Sequence, residues 1–194
     1  MSKDRLEAFS DGVLAIIITI MVLELHIPQG NDFAALRPLA PKFLSYLLSF
    51  VFVGIYWNNH HHLLHAVQQV NGKALWANMH LLFWLSLIPF VTSWMGENEV
   101  SSLPVALYGV VLLLSGVAFY ILVHGLISLH GEDSSLAVAI GDDFKGKISL
   151  VIYAMAIPLS FINIWIAIGL YVLVAVMWIV PDPRIEKVIE KDRL

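Results

Sequence analysis

Long apolar stretches, separated by short polar or Pro/Gly-containing segments, dominate the chain. Six such stretches run over 6–27, 43–67, 75–95, 104–129, 144–161 and 164–180 of the 194 residues. Each approaches the ~20 residues that an α-helix needs to cross about 30 Å of hydrocarbon. They are solidly apolar and lack the alternation that marks a membrane β-strand. The pattern therefore predicts an all-α integral membrane protein with six transmembrane helices per subunit.

The last two stretches form an almost continuous apolar run over 148–180, which is far too long for one span. Pro158 and Asn163 interrupt this run and favour a reversal of the chain between two helices. We therefore predict a tight helical hairpin. Residues 1–181 are expected to form a single six-helix transmembrane domain, and residues 182–194 a short charged tail.

The distribution of lysine and arginine predicts the orientation of the chain. Cytoplasmic loops of membrane proteins are enriched in these residues. With six spans and the N-terminus inside, all eleven lysines and arginines except Arg37 and Lys42 fall on the cytoplasmic side. Both termini are therefore expected to be cytoplasmic, in a multi-pass protein of the cell membrane.

Composition supports a membrane location and narrows the possible partners. The chain is 59% hydrophobic and 13% charged, whereas soluble domains are roughly 45–50% apolar and about 25% charged. Lipid is therefore an expected partner. The net charge is −4 and the cationic residues are scattered, which argues against nucleic acid. Because cysteine is absent, disulfides, thiolate metal sites and cysteine nucleophiles are excluded.

The first apolar stretch carries a polar start and one hydroxyl near its middle. Asp11 must find a donor on a neighbouring helix or cap the first turn, unless Ser10 and Asp11 only anchor the helix at the interface. Thr19 could simply donate to its own helix four residues back. At 100° per residue, one stripe collects Arg5, Phe9, Gly12, Ile16, Thr19, Ile20, Leu23 and Ile27.

The sequence Arg5-x-x-x-Phe9-Ser10-Asp11 resembles the RxxxFSD signature of the transmembrane protein 175 family of potassium channels. The six-span layout and the segment YWNNHHHLL over 56–64 are also similar to this family. The resemblance implies a prokaryotic, leak-type channel that is selective for K⁺ over other monovalent cations and is not an enzyme. It implies no cofactor. The TVGYG filter of other potassium channels, which this family lacks, does not occur in this sequence either.

The resemblance further implies an assembly and a pore. Because the chain has one six-helix unit, it is expected to form a homotetramer in the plasma membrane, with the first helix lining a central pore. Counting from the motif makes Ile16 the hydrophobic constriction and places Ile20 and Leu23 one and two turns further out. The Thr19 residues of the four copies then form a layer of hydroxyl groups in the pore. All four positions lie on the stripe derived above from helix geometry.

Four histidines crowd the end of the second apolar stretch. His61 and His65 have the spacing that places two imidazoles on one metal ion, but HExxH is absent, and we expect no acidic third ligand nearby. We therefore expect no native metal. The resemblance implies instead that polar residues of the second and third helices hydrogen-bond to the FSD segment, so Ser10 and Asp11 are expected to meet His60 or His61, together with Asn78 or His80 of the third helix. The candidates for this network are Trp57, Asn58, His60, His61, Asn78 and His80.

Two other functions are compatible with these residues. A proton-coupled secondary transporter would use Asp11, Glu24 and the histidines over 60–65 as a relay, although the chain shows no clear internal repeat. A metal-dependent intramembrane hydrolase is disfavoured because the histidines lack an acidic partner. Arg5 lies on the same stripe as Ile16, and we expect its side chain to turn toward an acidic or carbonyl partner.

Overall fold

The computed structural model describes residues 2–97, 100–131 and 133–179, and all regular structure in these ranges is helical. A 3₁₀ turn, Arg37–Leu39, joins the second and third helices. The helices are α1 (Lys3–Leu23), α2 (Phe33–Leu36), α3 (Ala40–His65), α4 (Gly72–Ser86), α5 (Ile88–Glu97), α6 (Ser102–His130), α7 (Ser135–Ile140), α8 (Phe144–Leu159) and α9 (Ile164–Ile179).

Four helical stretches are long and apolar enough to cross a bilayer: Lys3–Leu23, Phe33–His65, Gly72–Glu97 and Ser102–His130. The prediction of an all-α protein with membrane-spanning helices is therefore confirmed. The helices α8 and α9 contain 16 residues each. Their role as the fifth and sixth spans stays a prediction, and the tail over 182–194 lies outside the described residues.

The third apolar stretch is broken in two rather than continuous. α4 ends at Ser86, and α5 begins at Ile88 with Pro89 as its second residue. Proline has no N–H and its ring collides with the carbonyl four residues earlier, so the first turn is the part of a helix in which it costs least. The Leu87 N–H instead donates to the Trp84 carbonyl at 3.2 Å. Pro89 thus determines the position at which α4 ends and α5 begins.

The last two helices pack against each other across the short turn over 160–163. Asn163 helps to start α9, because its Oδ1 accepts the Trp165 N–H at 2.9 Å. Pro158 lies inside the last turn of α8 rather than ending the helix. The interruption predicted from Pro158 and Asn163 is therefore found two residues past the proline.

The core of the bundle is aromatic and lies around α6, α8, α9 and the middle of α3. Phe52 meets Tyr108 and Tyr153 with ring centroids 6.5 and 6.3 Å apart. Tyr171 packs on the same two tyrosines and donates its hydroxyl to the Val105 carbonyl at 3.1 Å. These aromatic contacts join α3 to α6, α8 and α9.

The first helix packs against α3, α4 and α5. One of its faces is buried and contains Leu6, Ser10, Leu14, Ile17 and Met21. Within the described residues, the rest of α1 is partly or fully exposed. The helix therefore has one face fixed by the fold and another that is open to lipid or to a second copy.

Candidate functional site

The stripe predicted on α1 is exposed along its whole length. Ile16 is 60% exposed and Leu23 is 74% exposed, which is unusual for large apolar side chains unless lipid or another subunit covers them. All residues of the predicted stripe are exposed: Arg5, Phe9, Gly12, Ile16, Thr19, Ile20, Leu23 and Ile27.

The Thr19 hydroxyl lies on this stripe and donates to the Ala15 carbonyl at 2.8 Å. The sequence already allowed this hydrogen bond to the carbonyl four residues earlier in the same helix. The bond uses the only hydroxyl proton, so the lone pairs of Oγ1 are left on an exposed side chain. Thr19 can therefore act only as an acceptor toward anything that contacts the stripe in this rotamer.

The opposite face of α1 is anchored by a buried chain of hydrogen bonds. Ser10 Oγ donates to the Leu6 carbonyl at 2.9 Å and accepts from Asn78 Nδ2 at 3.0 Å. Asn78 Oδ1 lies 2.7 Å from His60 Nε2 and accepts its proton. Ser10, His60 and Asn78 are all buried. The predicted contact of the FSD segment with the second and third apolar stretches is therefore present, with Asn78 as the bridge.

A second, more exposed set of contacts joins α1 to α3 beside this chain. Trp57 Nε1 donates to Asp11 Oδ1 at 3.0 Å, and His61 Nδ1 donates to Glu7 Oε1 at 3.0 Å. Trp57 also stacks on His61 with ring centroids 5.9 Å apart. Asp11 thus finds the neighbouring donor that its position requires, but the donor is an indole and not an imidazole.

Two predicted network residues, His80 and Asn58, lie outside these contacts, and so does Arg5. His80 is exposed and accepts from Trp84 Nε1 on its own helix at 2.9 Å. Asn58 is exposed on α3, and Arg5 is exposed at the start of α1. Within the described part of the chain, the structure gives Arg5 neither of the partners expected for it, acidic or carbonyl.

Sequence reasoning missed Glu7. The premise that no acidic ligand lies near His61 and His65 is wrong, because α1 brings Glu7 Oε1 to 3.0 Å from His61 Nδ1 and 3.8 Å from His65 Nε2. A signal was present: Glu7 and Asp11 are four residues apart, as are His61 and His65, so each pair shares a helix face. Only the packing of the two helices shows that these faces meet.

The other end of α1 is followed by a second polar cluster. Lys42 is buried at the start of α3 and donates to His26 Nδ1 at 2.8 Å and to Glu97 Oε1 at 3.0 Å. Glu24 accepts from Ser93 Oγ at 3.3 Å. These contacts tie the end of α1 to α3 and α5, so the helix is held at both ends and left open along one side.

Comparison with known proteins shows to which family the chain is similar. A model described as the endosomal/lysosomal potassium channel TMEM175 matches residues 5–89, the segment that contains α1, α3 and α4. A potassium channel of Chryseobacterium sp. (strain P1-3) is 55% identical over 192 residues, which cover 99% of this chain and 100% of that protein. The human endosomal/lysosomal proton channel TMEM175 is 38% identical over 96 residues, 43% of this chain and 19% of that protein.

A solved structure has the same fold. The crystal structure of a lysosomal potassium-selective channel TMEM175 homolog from Chamaesiphon minutus has a TM-score of 0.79 and 28% sequence identity. The likeness covers 91% of this chain and 95% of that one. With relatives that span its full length and a match over the helices of the candidate site, the chain belongs to the TMEM175 family of potassium channels, a family of ion channels and not of enzymes.

Proposed function

We propose that four copies of this chain form a leak-type potassium channel in the cell membrane, with α1 of each copy lining a central pore. The observation that supports this proposal is the division of α1 into an anchored face and an exposed stripe. In a homotetramer, four such stripes face one another across the axis. The exposed apolar side chains then form the wall of the pore.

Ile16 is proposed as the main constriction. It lies on the exposed stripe, with Ile20 about one turn and Leu23 about two turns further along. Four branched apolar side chains around an axis exclude water and oppose the passage of hydrated ions by dewetting. Opening of the pore then requires α1 to move or rotate. The layer of Ile16 side chains therefore serves both as the barrier to ions and as the gate.

Thr19 is proposed as the layer that favours K⁺. Four Thr19 hydroxyl oxygens around the axis replace part of the hydration shell of a cation, and K⁺ gives up its hydration water more readily than Na⁺. The bond to the Ala15 carbonyl supports this role, because it orients the lone pairs away from the helix. Other monovalent cations are expected to pass less well than K⁺.

The proposed arrangement in the membrane uses six spans: α1, α3, α4 with α5, α6, α8 and α9. Residues 1–181 then form one transmembrane channel domain, and the excess of lysine and arginine places both termini in the cytoplasm. The helices α8 and α9 are each about 24 Å long at 1.5 Å per residue. They match the hydrocarbon core with local thinning or with help from the turn over 160–163.

The first experiment is flux from liposomes that contain the purified protein, with K⁺ and Na⁺ compared under the same gradient. Ile16→Ala is expected to raise flux and to lower the preference for K⁺. Val22→Ala is the matched control, because Val22 is also apolar and exposed but lies about 120° around the helix from Ile16. Flux that saturates, needs a proton gradient and is lost in Ile16→Ala would support the proton-coupled transporter instead.

The second experiment uses the absence of cysteine from the chain. Single cysteines at Leu23 on the stripe and at Val22, about 100° away around the helix, are treated with a charged thiol reagent while flux is recorded. Leu23→Cys is expected to lose most of its flux, because the reagent blocks the pore, and Val22→Cys is expected to keep it. Equal sensitivity of both variants would contradict a pore along this stripe.

A further inference from the structure

The contact between Glu7, His61 and His65 joins two helices, to which the channel proposal assigns different roles. Glu7 lies on α1, and the two histidines lie one turn apart near the end of α3. The rings of His61 and His65 are 4.3 Å apart and nearly perpendicular. The Glu7 carboxylate therefore faces two imidazoles from the adjacent helix.

The donor atoms are close enough to share one ion. Glu7 Oε1 is 3.0 Å from His61 Nδ1 and 3.8 Å from His65 Nε2, and all three atoms lie within 4.8 Å of one another. A tetrahedral ion with bonds of about 2.0–2.1 Å keeps its ligand atoms roughly 3.3 Å apart. Small side-chain rotations therefore bring all three atoms to bonding distance without moving either helix.

The donor set selects a class of ion. Two neutral imidazoles and one carboxylate are the ligands of catalytic-type zinc sites, in which water takes the fourth position. The same ligands suit Co²⁺, Ni²⁺ and Cu²⁺. Mg²⁺ and Ca²⁺ prefer oxygen ligands throughout. The three side chains thus fit a borderline transition-metal ion and not an alkaline-earth ion.

The surroundings allow an ion to enter while the ligands stay ordered. The Glu7 side chain is 17% exposed, whereas those of His61 and His65 are 39% and 53% exposed. Trp57 stacks on His61 and is itself held by Asp11. The carboxylate is therefore sheltered, the imidazoles are the more exposed ligands, and an indole stacks on one of them.

We propose that Glu7, His61 and His65 form a binding site for a divalent transition-metal ion of the Zn²⁺ type. The ion replaces the proton of the hydrogen bond between His61 and Glu7 and adds His65 as a ligand. The start of α1 is thereby tied to the end of α3. Given the proposed pore, which this consequence rests on, the ion holds α1 in its present position and lowers K⁺ flux.

The binding test uses Co²⁺ and the full chain, purified with any histidine tag removed. Tetrahedral Co²⁺ absorbs visible light, so the titration reports binding directly. The expected result is about one Co²⁺ per chain, displaced by Zn²⁺ and not by Mg²⁺ or Ca²⁺. Glu7→Gln and His65→Gln should each weaken binding at least about tenfold. Both positions are partly exposed, and size-exclusion profiles check that both variants fold.

Two matched controls accompany these variants. Asp4→Asn removes an exposed acid one turn before Glu7 on α1, and His124→Gln removes an exposed histidine that contacts the Tyr120 carbonyl. Both should bind Co²⁺ as the native chain does. The site is rejected if the native chain binds no Co²⁺ up to about 1 mM, a concentration that corresponds to weak binding. It is also rejected if Glu7→Gln and His65→Gln bind as tightly as the native chain.

The flux test separates this site from the channel proposal. Zn²⁺ should lower K⁺ flux about fivefold or more in the native protein and leave Glu7→Gln unaffected. Unchanged flux in a protein that has bound its ion would overturn the coupling to the pore. The absence of K⁺ flux from every variant would count against the channel proposal, and the Co²⁺ titration would still decide the site.

Discussion

The two faces of α1 have similar residues and different surroundings. Each carries one hydroxyl residue among apolar ones, and each hydroxyl donates to the carbonyl four residues earlier, Ser10 to Leu6 and Thr19 to Ala15. Ser10 is buried and also accepts a proton from Asn78. Thr19 is exposed. The local bond is thus the same on both faces, and only the packing of neighbouring helices decides what the oxygen lone pairs meet.

This difference separates two kinds of effect that substitutions in α1 can have. Changes on the buried face remove packing or hydrogen bonds within one chain and should lower its stability. Changes on the exposed stripe should leave stability intact and act only on the proposed pore. Stability and flux, measured on the same variants, therefore test whether the two faces are functionally distinct.

The largest expected effect comes from truncating the same residue type on each face. Leu14 is 2% exposed and Leu23 is 74% exposed. Leu14→Ala should lower the free energy of unfolding by about 2–3 kcal/mol, toward the low end for buried leucine, because lipid is as apolar as leucine and mainly packing is lost. Leu23→Ala should change it by less than about 0.5 kcal/mol. Unfolding of the purified protein in detergent measures both, and equal losses would contradict the distinction.

The next effect concerns the polar anchor of the buried face. Asn78→Leu removes the partner of both Ser10 and His60, and the His60 Nε2 proton is left buried without an acceptor. We expect a loss of about 1–2 kcal/mol, since hydrogen bonds inside membrane proteins are individually modest. Asn58→Leu is the control, because Asn58 is exposed on the neighbouring helix. Thermal unfolding should separate the two variants, and a stable Asn78→Leu protein would mean that the anchor is dispensable.

A smaller effect is expected at the edge between the two faces. Trp57→Phe keeps an aromatic ring beside His61 but removes the donor to Asp11, and should cost about 1 kcal/mol. Asp11→Asn added to Trp57→Phe should cost less than the sum of the single changes, because both act on one bond. Trp76→Phe, at a highly exposed tryptophan, should be neutral. Strict additivity in this double-mutant cycle would show that the contact contributes nothing.

The smallest expected free-energy change lies on the exposed stripe. Thr19→Val keeps the shape of the side chain and removes the hydroxyl, and should reduce the ratio of K⁺ to Na⁺ flux about threefold, or about 0.65 kcal/mol. Thr19→Ser keeps the hydroxyl and should retain the preference. Both variants should unfold like the native chain. An unchanged flux ratio in Thr19→Val would remove Thr19 from the proposed selectivity layer.

Much of the candidate site follows from residues that are close in sequence. The stripe from Phe9 to Leu23 depends only on 100° per residue, and the structure leaves all of it exposed. The need for a donor to Asp11 follows from the cost of burying a carboxylate. The identity of that donor does not, because Trp57 and His61 lie one turn apart on α3 and only the depth of packing makes Trp57 the partner.

Other features required contacts between distant segments. Glu7 has no evident role in the sequence, and only the packing of α3 brings His61 and His65 to its carboxylate. Lys42, expected at an outer loop, is buried, and Glu97, 3.0 Å from its Nζ, offsets the cost of burying the charge. The break between α4 and α5 was predictable in principle, since Pro89 lies inside an apolar stretch and interior proline kinks or breaks a helix.

The sequence by itself determined that this is a helical membrane protein. It also determined which residues of α1 share a face and that the start of α1 is polar. These properties depend on hydrophobicity and on the helical repeat, both of which are local. The tertiary structure decided which face of α1 is covered, which donor meets Asp11, and that one carboxylate lies between two histidines. Those outcomes depend on how helices distant in sequence pack, and two apolar faces of equal hydrophobicity do not reveal which one the packing will bury.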